Sequence, residues 1–296
     1  SISKEIDKMK YRQLGESFND KIKRIARALC DHDEHRYKLE DILGNMRFLP
    51  AGRVQSAIGS NRITTAYNCF VSGEIDDNMN SIMGKASEAA ETMRRGGGIG
   101  YDFSKIRPRG DKIKSLDSQA SGPVSFMGIF DAVCQTIASS GRNSDKLTGF
   151  NISVGVTDKF MEALTNDLDS SFTLEFEGQP YRTICARDLW NKIMDSTWDW
   201  AEPGVLFIDR ISEMNNLYYC EEITATNPCG EQPLPPYGAC LLGSFNLTKY
   251  VGIENGAGIA NPFNFYQFKE DIHHVVRAMD NVIDRTIYPL KQQADE

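Results

Sequence analysis

The sequence Asn227-Pro228-Cys229-Gly230-Glu231 places an amide, a thiol and a carboxylate at alternate positions. On an extended segment these three side chains would share one face. Pro228 cannot donate to a β-ladder and Gly230 allows close backbone approach, so the stretch indicates a short strand tip or a loop. A buried structural cysteine beside a turn is the alternative, because free cysteine is among the most buried residue types. A carboxylate two residues from a thiol has no packing rationale, and this favours a chemical role.

Composition limits the classes of protein to which the chain can belong. It has 296 residues, of which 41% are hydrophobic and 25% charged, and its net charge of −8 argues against a surface that wraps nucleic acid. No apolar run is long enough for a membrane span, and no signal-peptide-like segment opens the chain. The cysteines are too scattered for a disulfide framework and form no zinc motif; they lie at positions 30, 69, 134, 185, 220, 229 and 240. We therefore expect a cytoplasmic protein with no membrane or nucleic-acid partner, in which some thiols have a chemical role.

Hydrophobic periodicity predicts a helical layer followed by an α/β unit. Apolar residues at helical spacing predict helices over 16–30 and 37–48. Short β-favouring runs predict strands over 67–71 and 99–103, with a helix over 78–95 between them. A strand, a helix and a strand in this order indicate a parallel sheet.

Further along the chain, the pattern predicts more helices and strands. Clean alternation over 172–176 predicts a half-exposed strand of a hairpin. The tryptophan-rich segment 186–201 predicts a helix whose aromatic residues belong to the core rather than to a cofactor site. The other predicted elements are a strand over 150–156 and helices over 124–138, from 159 onward and over 268–287.

The run Arg94-Arg95-Gly96-Gly97-Gly98-Ile99-Gly100 permits two interpretations. Successive glycines beside two arginines allow a phosphate or another anion to approach the backbone. The run lacks the residue order of a Walker loop or of a dinucleotide fingerprint, and its glycines close a helix instead of opening one. A helix C-terminal stop with flanking arginines explains the pattern equally well.

Six stretches of the sequence together resemble the catalytic chain of ribonucleotide reductase. Three of them contain cysteines, and their joint order makes the resemblance specific. It covers most of the chain after residue 48, and its motifs are AYNCF at 66–70, RRGGGIGYDFSKIRPRGD at 94–111, ASGPVSFM at 120–127, FNISVGVTD at 150–158, NPCGE at 227–231 and GACLLGSFNL at 238–247. The glycine-rich block is most similar to the adenosylcobalamin-dependent class, although the class that depends on a metal-radical subunit shares the cysteine arrangement.

The resemblance implies catalytic roles for five residues. Cys229 would carry a transient thiyl radical that abstracts the ribose 3′ hydrogen, and Glu231 would take the proton of the 3′ hydroxyl. Asn227 would hydrogen-bond the substrate hydroxyls. Cys69 and Cys240 would be the pair that is oxidised to a disulfide when the 2′ hydroxyl leaves as water.

The resemblance also implies binding sites and partners. Substrate contacts are expected at Asn68, Ser56 and Gly98. A deoxynucleotide or ATP effector is expected at a homodimer interface, near the specificity loops 115–121 and 140–146; its contacts would be Asp76, Asp77, Arg107 and Ser118. The ribonucleotide substrate, adenosylcobalamin and a thioredoxin-like external dithiol reductant complete the expected components.

The fold implied by the resemblance is α/β, with an amino-terminal helical region over 1–60 and the amino-terminal half of a ten-stranded α/β barrel over 61–296. Compared with the family, the sequence is short at 142–147: either much of the second specificity loop has been lost, or a segment is skipped in the sequence. We expect that a carboxy-terminal half, or a second chain, completes the barrel and that no ATP-cone module for overall activity control is present.

Two other classes of function compete with this expectation. A nucleotide-binding regulatory protein could keep the fold without activity, but all three cysteines, Asn227 and Glu231 are retained. A thiol–disulfide oxidoreductase could use Cys229 and Cys240, but this leaves Asn227 and Glu231 without a role.

Overall fold

The chain folds into two compact units, each built from several separate segments. The computed structural model describes residues 2–113, 117–137, 150–166, 170–252 and 263–295. The first unit comprises Ser1–Asn68, Arg95–Gly97 and Cys240–Lys291. The second unit comprises Cys69–Arg94, Gly98–Ala239 and Gln292–Glu296. The expected domains 1–60 and 61–296 stay a prediction.

The first unit is mainly helical. Its helix Phe18–Leu29 begins at a capping box, in which the Ser17 hydroxyl accepts from the Asp20 N–H and the Asp20 carboxylate accepts from the Ser17 N–H. A short antiparallel strand pair joins Phe48–Pro50 to Gly243–Phe245. The remaining elements are helices Ile2–Ile6, Asp33–Gly44, Gly52–Ala57 and Phe265–Arg285, a π-helical turn Asp7–Tyr11 and a 3₁₀ turn Leu247–Tyr250.

The core of the first unit forms where three of these helices present their apolar faces. Ile25 and Ile42 are buried there beside Val282 of the long helix Phe265–Arg285. These side chains recur at helical spacing, so each helix buries one stripe and leaves the opposite face in water. The amino-terminal helices therefore share a core with a helix that lies more than two hundred residues further along the chain.

A buried carboxylate connects the helical core to the strand region of the first unit. Asp271 is 2% exposed and accepts hydrogen bonds from Arg47 Nε at 2.6 Å, Tyr250 Oη at 2.7 Å and Gln267 Nε2 at 2.8 Å. Burial and the Asp271 carboxylate raise the pKa of Tyr250, so its phenol remains a donor. The network satisfies a charge that would otherwise be costly to bury.

The second unit contains the predicted α/β unit. Strands Cys69–Val71 and Gly98–Gly100 pair in parallel, with Cys69 opposite Gly98, and helix Met79–Arg94 connects them. Both strands are shorter than predicted. On the other side of the first strand, the Val71 N–H donates to the Gly238 carbonyl at 2.9 Å. The parallel pairing with a helical crossover confirms the α/β prediction for this part of the chain.

A second parallel pair and several antiparallel hairpins complete the second unit. Ser153–Val156 runs parallel to Gly204–Phe207. The antiparallel pairs are Lys112–Ile113 with Ser118–Gln119, Ser171–Phe176 with Gln179–Cys185, and Ala225–Thr226 with Pro233–Leu234. The other elements are helices Pro123–Ile137, Asp158–Asn166, Ala186–Trp200 and Ile208–Glu213; strand Ala239–Cys240 and helix Lys291–Asp295 fall at unit boundaries. The described strands form sheets of two or three, so the architecture is mixed α/β and the ten-stranded barrel stays a prediction.

Two sequence predictions about helices are wrong. The helix predicted over 37–48 is Asp33–Gly44, because His32 caps its first turn by accepting from the His35 N–H, and Phe48 belongs to a strand. The aromatic residues of Ala186–Trp200 do not all enter the core. Trp190 packs near Phe160, but Trp198 and Trp200 are 89% and 80% exposed. No helix in the described part of the chain is long and apolar enough to span a membrane.

We expect Asp271→Asn to lower the free energy of unfolding by about 3 kcal/mol. This value is at the lower end of the range for breaking a buried ion pair, because Arg47 still has Asp41 as a partner. Chemical denaturation monitored by circular dichroism measures this. The exposed Asp280, paired with Arg277, provides the control: Asp280→Asn should change stability by less than about 0.5 kcal/mol. Equal effects of the two substitutions would contradict a structural role for the buried network.

Candidate active site

The Asn227–Glu231 stretch forms the loop of a β-hairpin in the second unit. It connects the paired strands Ala225–Thr226 and Pro233–Leu234. The Asn227 N–H donates to the Gln232 carbonyl at 3.0 Å, and the Gly230 N–H donates to the Asn227 carbonyl at 3.0 Å. Gly230 has φ of +82°, which a residue with a side chain rarely adopts. The predicted loop is therefore confirmed, and Gly230 is required by its backbone conformation.

The expectation that Asn227, Cys229 and Glu231 share one face of an extended segment is wrong. The chain turns within the motif, so alternation along a strand does not apply. Asn227 is 2% exposed, whereas Cys229 and Glu231 are exposed on the loop. The motif therefore combines one buried amide with two accessible reactive groups.

In the buried Asn227 side chain, the amide oxygen is hydrogen-bonded within the described residues and the amide nitrogen is not. Its Oδ1 accepts from the Gln232 N–H at 3.0 Å, which stabilises the loop. Its Nδ2 is buried and has no hydrogen-bond partner among the described residues. A buried donor without a partner destabilises a fold by roughly 1–3 kcal/mol, so the amide is a candidate contact for a bound molecule.

The environment of Cys229 favours the protonated thiol. Partial desolvation, the Glu231 carboxylate and the Cys69 sulfur raise the pKa of Cys229 above its usual value. Cys69 begins the strand Cys69–Val71 of the same unit. A raised pKa makes Cys229 a poor thiolate nucleophile at neutral pH and keeps its S–H bond intact.

The Cys229 hairpin lies directly against strand Gly98–Gly100. A Cβ atom added to Gly100 would lie 1.9 Å from the Thr226 carbonyl oxygen, so the two backbones touch. Gly98, an expected substrate contact, lies on the same strand opposite Cys69. The strand Gly98–Gly100 thus pairs with the strand of Cys69 and, at Gly100, contacts the hairpin of Cys229.

A cavity of about 850 Å³ opens beside this hairpin in the second unit. Asn227, Pro228 and Gly98 line it, together with the aromatic rings of Tyr101 and Phe150. This volume is in the usual range for small-ligand sites. The unpartnered Asn227 amide and the predicted contact Gly98 therefore border the same space.

Asn68, Cys240 and Ser56 lie in the first unit. Cys240 is buried, and its carbonyl accepts from the Asn68 N–H at 3.2 Å. The Asn68 Oδ1 is buried with no hydrogen-bond partner among the described residues, and its role as a substrate contact stays a prediction. Ser56, in helix Gly52–Ala57, donates its hydroxyl to the Arg53 carbonyl at 3.1 Å.

The structure brings together some of the expected effector residues. Asp77 forms an ion pair with Arg107, and the Asp76 N–H donates to the Ser81 hydroxyl at 2.9 Å while the Asp76 carboxylate is exposed. Ser118 is exposed on the strand Ser118–Gln119. Residues 115–116 of the first expected specificity loop, and all of 140–146 and 142–147, lie outside the described residues.

The glycine-rich run behaves as a helix stop. Helix Met79–Arg94 ends at the first residue of the glycine-rich run. Gly96 has φ of +92°, and Arg94 forms an ion pair with Glu91 of the same helix at 2.8 Å. Anion binding by this run stays a prediction.

Sequence reasoning missed Tyr237, Lys85 and Asn151. The Asn151 Nδ2 donates to the Pro228 carbonyl at 2.9 Å and holds the hairpin loop from outside. The Tyr237 hydroxyl contacts Lys85 and Glu88 of helix Met79–Arg94. The segment Pro235-Pro236-Tyr237-Gly238 signals a turn, but only the fold shows which residues its tyrosine contacts.

Comparison with known protein families decides the relationship. Residues 67–143 and 138–296 match the family described as ribonucleotide reductase, barrel domain. The chain belongs to this family. The resemblance seen in the sequence is therefore confirmed, while the roles of single residues stay predictions.

Relatives within the ribonucleotide reductase family are much longer than this chain. The vitamin B12-dependent ribonucleoside-diphosphate reductase of Thermoplasma acidophilum is 33% identical over 280 residues, which cover 86% of this chain and 35% of that protein. The protein of the same name from Mycobacterium tuberculosis is 32% identical over 284 residues, which cover 85% of this chain and 38% of that protein. The vitamin B12-dependent ribonucleotide reductase of Streptomyces avermitilis is 25% identical over 330 residues, which cover 95% of this chain and 33% of that protein. The chain spans about a third of the length of these relatives.

We expect Gly100→Ala to displace the Cys229 hairpin, because the added methyl group overlaps the Thr226 carbonyl. The free energy of unfolding should fall by about 1–3 kcal/mol, the usual effect of overpacking. Amide hydrogen exchange should accelerate in residues 225–234. Gly155→Ala is the matched control, since its nearest neighbour, Ile208, would be 3.9 Å from the new methyl group. Unchanged exchange in the Gly100 variant would contradict the close backbone contact.

Proposed function

We propose that this chain supplies catalytic residues of a vitamin B12-dependent ribonucleotide reductase that converts ribonucleoside diphosphates to deoxyribonucleoside diphosphates. The observation that carries the proposal is the Asn227–Glu231 hairpin, in which an unpartnered buried amide lies beside an accessible thiol and carboxylate. The names of the related proteins and the match to the reductase barrel family support the same reaction.

Cys229 is the proposed radical residue. Hydrogen-atom transfer needs a thiol that still carries its hydrogen, and the raised pKa of Cys229 favours that form. A thiol–disulfide oxidoreductase instead needs a lowered pKa, because the thiolate is its nucleophile. The electrostatics around Cys229 therefore support radical chemistry over thiolate chemistry.

Asn227 and Glu231 are proposed to act on the ribose hydroxyls. The Asn227 Nδ2 has no hydrogen-bond partner among the described residues, so a substrate hydroxyl can accept from it. Glu231 is exposed on the same loop and can accept the proton of the 3′ hydroxyl once the 3′ hydrogen has left. Hydrogen bonding by Asn227 and proton transfer to Glu231 would together assist loss of the 2′ hydroxyl as water.

Cys69 and Cys240 are the proposed source of two electrons. In each turnover the two thiols would lose two hydrogens to the substrate and form a disulfide, which an external dithiol then reduces. The hydrogen bond between the Asn68 N–H and the Cys240 carbonyl supports this pairing, because Cys69 follows Asn68 directly. The neighbouring Asn68, with Ser56 and Gly98, is proposed to contact the substrate.

Adenosylcobalamin, when bound, supplies an organic radical through cleavage of its cobalt–carbon bond. In this chain the exposed Cys229 thiol is the group that fits an exchange of a hydrogen atom with such a radical. We assign no described residue to holding the corrin ring. A carboxy-terminal half that completes the barrel, a homodimer and a thioredoxin-like reductant are further parts of the proposal.

We expect Cys229→Ser to abolish nucleotide reduction in the full-length enzyme that contains this chain. A hydroxyl O–H bond is too strong to take part in the hydrogen-atom exchange. Deoxynucleotide formation is measured with cobalamin, reductant and nucleoside diphosphate. Cys220→Ser, at an exposed cysteine without a proposed role, is the control and should retain activity. Turnover by the Cys229 variant above the level of contaminating wild type would disprove the radical assignment.

We expect Asp76→Ala to remove effector-dependent changes in substrate preference. Asp76 is exposed, and the resemblance places an effector nucleotide there. Reduction of the four substrates is compared with and without each deoxynucleotide, and Glu74→Ala, which breaks a surface pair with Lys105, is the control. An equal loss of rate for every substrate would assign Asp76 to folding. With the sequence as it stands, which is short at 142–147, effector-driven shifts should be weak even without the substitution.

A further inference from the structure

Tyr237 has a backbone conformation that normally requires glycine. Its φ is +66°, in the left-handed region that residues with a Cβ atom avoid. The next residue, Gly238, could tolerate that conformation without strain, yet the tyrosine takes it. Such strain persists only where surrounding contacts hold the residue in place. The contacts of the Tyr237 ring and main chain identify what holds it.

The phenol of Tyr237 is fixed by a charged pair on a helix. The Lys85 ammonium donates to the Tyr237 hydroxyl, which donates in turn to Glu88 Oε2 at 3.3 Å. Lys85 also pairs with Glu88 at 3.0 Å and lies 4.9 Å from the centre of the tyrosine ring. The hydroxyl is thus held by the Lys85–Glu88 ion pair of helix Met79–Arg94.

The ring of Tyr237 also packs against the backbone of Gly73, which has no side chain. A Cβ atom added to Gly73 would lie 2.3 Å from the Tyr237 hydroxyl oxygen and 2.4 Å from Cζ, so any side chain at Gly73 would expel the ring. The main chain adds two hydrogen bonds to the neighbouring strand. The Tyr237 N–H donates to the Val71 carbonyl at 3.0 Å, and the Val71 N–H donates to Gly238 at 2.9 Å.

We propose that Tyr237 is a positioning residue for the redox pair Cys69 and Cys240. Val71 lies two residues after Cys69, and Tyr237 lies three residues before Cys240. The Tyr237 anchor therefore fixes the segment that leads into Cys240 against the strand that begins with Cys69. The inference rests on the proposed function, since it requires these two cysteines to be the reacting pair.

The redox equilibrium of the pair reports on positioning separately from stability. With glutathione, two cysteine S–H groups and one glutathione disulfide give one protein disulfide and two glutathione thiols, so two electrons and two protons pass to glutathione. The equilibrium constant depends on how well the folded chain holds the sulfurs at bonding geometry. A residue that only stabilises the fold changes the unfolding midpoint and leaves this constant unchanged.

The test titrates the Cys69–Cys240 couple of the full-length enzyme in glutathione buffers, with differential alkylation and mass spectrometry as the readout. Tyr237→Gly removes the anchor while relieving the φ strain, and Gly73→Ala displaces the ring without altering Tyr237. Both should weaken the disulfide about tenfold, a rise of roughly 30 mV in reduction potential. Tyr237→Phe, which keeps the ring, should give a smaller rise. Gly84→Ala, where an added methyl group meets nothing within 4 Å, should give none.

The outcomes separate this inference from the proposed function. If the wild type forms no Cys69–Cys240 disulfide at any potential, the proposed pair is wrong and the inference falls with it. If the disulfide forms and both Tyr237→Gly and Gly73→Ala titrate like the wild type, the pair stands and the positioning role is overturned. A lowered thermal midpoint with an unchanged potential has the same meaning. Should Tyr237→Gly fail to fold, Gly73→Ala and Tyr237→Phe decide.

Discussion

The contact between Gly100 and the Thr226 carbonyl is the constraint on which the candidate site depends. It leaves no room for a Cβ atom, so the strand Gly98–Gly100 and the Cys229 hairpin meet backbone to backbone. The same strand pairs in parallel with Cys69–Val71. One strand therefore contacts two cysteine-bearing segments, and its glycines add no side chains at these contacts.

The hairpin loop combines polar groups that hold the fold with polar groups that stay open. Asn227 uses its oxygen to close the loop and leaves its buried nitrogen without a partner. Cys229 and Glu231 remain exposed, and the carboxylate helps to keep the thiol protonated. The turn hydrogen bonds fix the loop and keep this donor buried.

The sequence predicted the parts of this arrangement that depend on local pattern. The parallel strands on either side of helix Met79–Arg94 and the loop at Pro228 and Gly230 follow from periodicity and backbone chemistry. The orientation within the motif could not be predicted, because alternation assumes an extended chain and the hydrogen bonds of Asn227 close a turn. The exposure of Trp198 and Trp200 was missed for a related reason: composition shows that a helix is aromatic but not which of its faces is covered.

The segment that runs from the hairpin to Cys240 contains one strained backbone position and one open polar group. Tyr237 has positive φ, and Asn227 buries a donor without a partner among the described residues. Each feature destabilises the folded chain, and none contributes to an apolar core. The Lys85–Glu88 pair and the strand hydrogen bonds at Val71 offset this locally. The compensating contacts come from the strand that begins with Cys69 and from the helix that follows it in the second unit, so strain at one position is offset by neighbouring elements rather than by an apolar core.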